Sequence, residues 1–194
     1  MLQPDSRESL VEVDSRESRV SLSSLVVSTE SLVVSQVVSR ELYWETMMKS
    51  IWHEQAQQEL DDRVGALAWD RRAQWGRFTA PKMVCHLADS LKMAMGDLKV
   101  APKKLPIRYP PLKQLIIYVA PFPKSAPTAP ELLAREPREW ANDVADVQGL
   151  LARAAAARTT DTWPEHPAFG RLSKRAWGVL IYRHIDHHLK QFGA

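Results

Sequence analysis

Six histidines occur in the 194 residues of this chain, and three of them fall in the closing stretch IYRHIDHHLKQFGA. At about 100° per residue, Trp177, Leu180, Ile181, Ile185, Leu189 and Phe192 share one arc of a helix. His184 and His188 lie in the middle of that arc and are four residues apart, so their rings stack on one face a turn apart. His187 sits at the margin, while Asp186 and Lys190 point away. An imidazolium in an apolar interior is costly, and a neutral imidazole there still needs partners. An i, i+4 pair of imidazoles is a good bidentate grip on a transition metal. A third ligand must come from another element, and VCHLADSL at 84–91 supplies His86 at the border of a second apolar stripe. On its own, His86 reads more readily as an ordinary core or rim histidine than as a ligand. His53 lies among polar residues, and His166 in a Pro-flanked loop, so both are weaker candidates. Cys85, next to His86 but about 100° around the helix from it, reads as a packing residue.

The elements that position these residues are helical. Ile51, Trp52, Ala56, Leu60, Val64 and Leu67 recur at helix spacing. Thr79 followed by Pro81 is a helix start, and Met83, Val84, Leu87, Leu91, Met95 and Leu98 form the next stripe. Residues 99–130 carry eight prolines and form a long connection, with LKQLIIYVA at 112–120 predicted as a short buried helix. TAPE at 128–131 reads as a capping box, with Thr128 as cap and Glu131 reaching back. Pro137 breaks or restarts that helix, and Trp140, Val144, Val147, Leu151 and Ala154 continue as a stripe. Ser173 is the expected cap of the last helix. Four helices without a convincing core strand predict an all-α four-helix bundle over residues 48–194.

The first 45 residues differ. DSRESLVEV at 5–13 is followed by DSRESRVSL, and SLVVSTE at 24–30 by SLVVSQV. Such short tandem copies read as a low-complexity Ser/Val-rich tail, disordered or the product of an upstream frame with the start at Met47 or Met48. No basic n-region with an apolar block precedes them, and no apolar run is long enough for a membrane span. The single cysteine fits a reducing cytoplasm. The net charge is +3, and residues 48–194 carry 22 Lys and Arg against 15 Asp and Glu. The short clusters Lys103, Lys104, Arg108 and Arg71, Arg72 lack interleaved aromatics and read as solvated surface, which argues against a nucleic-acid partner.

CHLADS, PFPKSAPTAPELL and HPAFGRLSKRAWGVLIYRHIDHHLKQFG together resemble the DinB-like (DinB/YfiT) metal-binding superfamily, in particular a bacterial branch labelled as a domain of unknown function. The resemblance covers about 48–194 and none of the tail. It implies His86, His184 and His188 as ligands of a divalent metal, zinc or nickel, with water completing the shell. His187 and Asp89 are then candidates for outer contacts to those ligands. Relatives in that superfamily include thiol-dependent S-transferases and a maleylpyruvate isomerase. The implied activity is a metal-dependent transferase using a low-molecular-weight thiol cosubstrate on small electrophiles, with hydrolysis as the other chemistry. Three protein ligands leave an open position, as in catalytic zinc sites, so a cavity should open beside the triad, lined by residues such as Met93, Trp177 and Gln191. The rival reading is a non-catalytic protein whose metal staples the bundle. The partner expected is a small-molecule substrate, and a homodimer is compatible with this reading.

Overall fold

The computed structural model describes residues 48–124, 127–160 and 162–194, so the repeat tail lies outside the described residues. Four long helices carry the described chain: α1 (Glu54–Gly65), α2 (Ala80–Met95), α3 (Trp140–Ala156) and α4 (Lys174–Gln191). No strand occurs among the described residues, only an isolated bridge between His166 and Gly170. No helix of the described residues is long and apolar enough to cross a membrane. The fold is the all-α four-helix bundle expected.

Each helix begins where its capping chemistry allows. The Thr79 hydroxyl accepts from the Lys82 amide at 3.4 Å, with Pro81 in the first turn, where its missing N–H costs nothing. Ser173 Oγ accepts from the Ala176 amide at 3.2 Å. At α3 the cap is Glu139, whose carboxylate accepts from the Ala141 and Asn142 amides. At α1 the stripe starts later than its spacing predicts: Ile51 and Trp52 precede the helix, and only Ala56, Leu60 and Val64 face inward from it. Those two residues instead bind α4. The Ile51 amide donates to Gly178 O at 3.2 Å and the Trp52 indole to Lys174 O at 3.0 Å. A β-carbon at Gly178 would sit 2.1 Å from the Trp52 indole nitrogen, so only glycine lets the segment lie this close.

Around the bundle, α2 packs against α3 and α4, and α1 closes the ring by packing against the same two. The Gln74 amide donates to Gln191 O at 2.7 Å, which ties the entry to α2 to the end of α4 and makes the two antiparallel. Leu60, Met83, Leu87, Leu151, Trp177 and Ile185 are among the fully buried core residues. Burial of such side chains contributes about 1.5–3 kcal/mol each.

Two expectations in the long connection are corrected. Residues 112–120 form a short turn (Leu112–Gln114) running into a π-type turn (Leu115–Val119), with only Ile117 buried and Leu112, Leu115 and Val119 exposed. The Arg183 guanidinium from α4 takes the carbonyls of Ile116, Ile117 and Ala120, so the segment needs no continuing helix to satisfy them. The capping box does not form. Pro130–Leu132 is a single 3-10 turn with no side-chain cap, and Glu131 Oε1 accepts from the Ala101 amide at 3.1 Å. One turn has too few amides to use a capping box.

Candidate metal centre

His86 projects from α2, and His184 and His188 from α4, into one spot between the two helices. One nitrogen from each ring lies within 4.8 Å of the others. His86 Nε2 is 3.1 Å from His184 Nε2. Ligand nitrogens on a tetrahedral ion at about 2.1 Å lie about 3.4 Å apart, so a small inward shift of the farthest ring would serve all three.

Hydrogen bonds fix which nitrogens face inward. His86 Nδ1 is 3.2 Å from Leu132 O, which can only accept, so Nδ1 carries the proton and donates. The Gln191 amide nitrogen donates to Trp75 O at 2.7 Å, which orients the amide so that Oε1 faces His188 Nδ1 at 2.9 Å. His188 Nδ1 must therefore donate as well. In both rings Nε2 is thus the unprotonated nitrogen, and that of His86 faces His184 Nε2 at 3.1 Å. This is the arrangement in which an outer hydrogen bond sets the tautomer of a ligating imidazole. Gly76 keeps that relay open: its φ is +80°, and a β-carbon there would fall 2.5 Å from the Gln191 amide nitrogen.

All three rings are held neutral. Burial pushes His188 down to about 3, and the neighbouring His86 adds to the shift. Burial, then repulsion from His188 and His86, takes His184 well below the ordinary histidine value. Burial lowers His86 too, against the raising effect of Leu132. Three neutral imidazoles with one nitrogen each turned toward the others have the donor chemistry for a divalent transition-metal cation.

The triad sits in the wall of a cavity of about 980 Å³, which Met93, Trp177 and Gln191 also line. His187 borders the cavity beside the triad, with its ring centroid 5.8 Å from Trp75 and 5.9 Å from Phe122. Asp89 takes no part in the site: its carboxylate faces Arg135 Nη1 at 3.7 Å. Cys85 packs away from the triad as expected, its thiol 3.8 Å from Asp143 Oδ2 and pushed up by burial. Sequence reasoning passed over two partners of the triad. Leu132 contributes a backbone carbonyl, which no residue type announces. Gln191 lies three residues after His188 on the same helix, a spacing that puts the two in reach. His53 immediately precedes α1 and does not join the cluster. His166, set aside as a loop residue, lines the cavity.

A helical bundle with a histidine cluster opening onto a cavity defines the class of protein by its architecture. Residues 52–194 match the family described as Protein of unknown function (DUF1569), and the chain belongs to that family. No curated protein and no solved structure matches the chain.

Proposed function

We propose that the bundle is a DinB-like metal-dependent enzyme that holds a divalent ion, zinc or nickel, on His86, His184 and His188, and joins a low-molecular-weight thiol to a small electrophile. The observation that carries this reading is the paired anchoring of His86 Nδ1 on Leu132 O and His188 Nδ1 on the Gln191 amide, which turns two lone pairs onto a third imidazole. A bound divalent ion supplies Lewis acidity that favours the thiolate over the thiol at neutral pH.

The chain's own residues do the rest. Leu132 and Gln191 fix the rings, and the low pKa values keep protons off them. The cavity holds the electrophile in a largely apolar space where water competes poorly. In the transfer, the thiolate sulfur bonds to the electrophilic carbon and the leaving group departs with the bonding electron pair. The thiol proton is released when the thiolate forms. A hydrolase would use the same site with water as the nucleophile. The cavity beside the triad favours either chemistry over a metal that only staples the helices, because a staple needs no adjoining space.

Elemental analysis of the purified full chain, beside a His188→Ala variant, tests the metal. The expected result is about one zinc or nickel per chain, lost in the variant. Turnover is then screened with small thiols and electrophilic acceptors. Activity that survives metal removal would overturn the reading.

A further inference from the structure

The far end of the same cavity has a chemistry of its own. Seven residues separate Trp177 from His184 on α4, which places Trp177 two turns, about 10 Å, along the axis from the triad. There the loop before α4 turns His166 into the wall, with its ring centroid 5.3 Å from that of Trp177. His166 Nδ1 accepts two backbone N–H groups, from Ala168 at 3.0 Å and Phe169 at 3.2 Å. A nitrogen that accepts cannot carry the proton, so the neutral ring is locked with its hydrogen on Nε2. That Nε2–H has no partner among the described residues. The Trp177 side chain is 1% exposed, and its indole N–H likewise lacks an acceptor among the described residues. The His166 ring is only half-buried, so its Nε2–H is open to a ligand acceptor, whereas the indole N–H is sealed in the wall.

The charges agree with the donors. No Asp or Glu is among the described residues lining the cavity, whereas Arg77, Lys103 and Lys124 are. Lys124 lies over the Trp75 ring at 4.6 Å, toward the triad end. Lys103 belongs to the far end: its backbone amide donates to Pro167 O at 2.9 Å, next to His166. Arg108 also binds Pro167 O, at 3.0 Å, but its charge is paired with Glu165 Oε2 at 3.3 Å, so Lys103 is the cation left to meet an anion there. Burial and Arg108 hold His166 down at about 4, so it stays an uncharged donor. Between the two ends the wall is apolar, with Leu91, Leu180 and Ile181.

We infer that the cavity binds an elongated organic anion, with an apolar body along α2 and α4 and a carboxylate-type head received by Lys103 and the fixed His166 Nε2–H. This inference rests on the proposed function in one respect: it makes such an acid the substrate class that presents its other end to the triad.

Calorimetric titration of the full chain, zinc-loaded and after chelator treatment, with octanoate, octanamide and octylammonium tests it. These probes share a body and differ in head charge. Octanoate should bind the metal-free protein roughly tenfold or more tightly than octanamide, as a charge-assisted bond requires. Octylammonium should bind weakest. Lys103→Met should remove that preference for octanoate while leaving octanamide binding unchanged, and His166→Ala should weaken both. The side chain of Lys103 is outside the core, so its variant keeps the test decisive if His166→Ala fails to fold. Equal binding of the three probes, or no binding, would overturn the inference. So would octanoate binding that requires zinc and ignores Lys103→Met, because the carboxylate would then be sitting on the ion. Absence of bound metal would defeat only the proposed function, since the octanoate preference is read on metal-free protein.

Discussion

Replacing Gln191 separates the relay from the ligands it serves. The side chain is 3% exposed, donates to Trp75 O at 2.7 Å and accepts from His188 Nδ1 at 2.9 Å. Gln191→Ala leaves the buried His188 ring N–H without a partner, at about 1–3 kcal/mol, and frees the part-buried Trp75 carbonyl. A fold destabilised by a few kcal/mol should therefore still be populated, and thermal melting of the metal-free protein measures the loss. The larger effect falls on the metal. Without Gln191, His188 is free to rotate and to switch tautomer, and loss of such an outer partner typically weakens metal binding about 10–100-fold. Competition against a chromophoric zinc chelator reads that change directly.

A second substitution controls for stability. Gln191→Glu restores an acceptor for His188 Nδ1 but sets a carboxylate against Trp75 O, so the fold should weaken while zinc affinity stays within a few-fold of wild type. Gly76→Ala approaches the same point from outside the site. Its β-carbon would meet the Gln191 amide at 2.5 Å from a backbone at φ +80°, and zinc affinity should fall without any ligand or hydrogen-bonding side chain being changed. A well-folded Gln191→Ala protein with wild-type zinc affinity would refute the relay.

Three further outcomes are expected. His86→Ala or His184→Ala should abolish stoichiometric zinc in elemental analysis while the circular dichroism spectrum stays helical, since each removes one of the three proposed ligands. Metal-free protein should lose stability as pH falls below the ordinary histidine value near 6.5. The folded pKa values are lowered (His166 to about 4, His188 to about 3), so in that window only the unfolded chain takes up these protons. The slope is about 1.4 kcal/mol per pH unit per histidine, and urea titrations at successive pH values check it; a flat profile would contradict the buried neutral rings. Asp143→Ala should cost about 3–5 kcal/mol by thermal or urea melting, because its carboxylate, 1% exposed, accepts from Arg135 at 2.6 Å and from the Arg138 amide at 2.7 Å.

The helices were legible because burial and periodicity coincide in them. Met83, Leu87 and Leu91 recur at one spacing and are buried together, and Thr79 and Ser173 have the chemistry of caps. Where the chain ends a helix early or packs without one, the pattern misleads. Ile51 and Trp52 keep helical phase with Ala56 yet precede the helix, because α4 offers their backbone and indole groups direct partners. Asp143 illustrates the converse: a carboxylate on the buried face of α3 cannot be told from a surface one until its two arginines are seen. The convergence of His86 with the α4 pair was within reach of helix geometry. The Leu132 carbonyl was not, because only the folded path of the Pro-rich connection brings it there. His166 was discounted for lying in a loop, although HPAFG is short enough to turn its own backbone amides onto the ring.

Leu132 explains how the two sides of α2 depend on each other. Cys85 and His86 are neighbours in sequence and point about 100° apart, so one faces α3 and the other the triad. On the α3 side Arg135 reaches Asp143 at 2.6 Å, Asp146 at 3.0 Å and Asp89 at 3.7 Å, which pins the segment just after the 3-10 turn. That turn is one residue wide at the point that matters, since Leu132 O must stay 3.2 Å from His86 Nδ1. The turn has two backbone hydrogen bonds of its own, from the Leu132 amide to Ala129 O and from the Leu133 amide to Pro130 O, both at 3.0 Å. Those bonds shape the turn, and its place against α2 is fixed from outside, by the ion pairs of Arg135 three residues on and by the Glu131 carboxylate on the Ala101 amide one residue before. Asp89, expected as an outer contact to the ligands, thus acts with Asp143 and Asp146 at a distance from the triad. Together they hold the loop that orients His86, and through that ring they bear on whatever the triad binds.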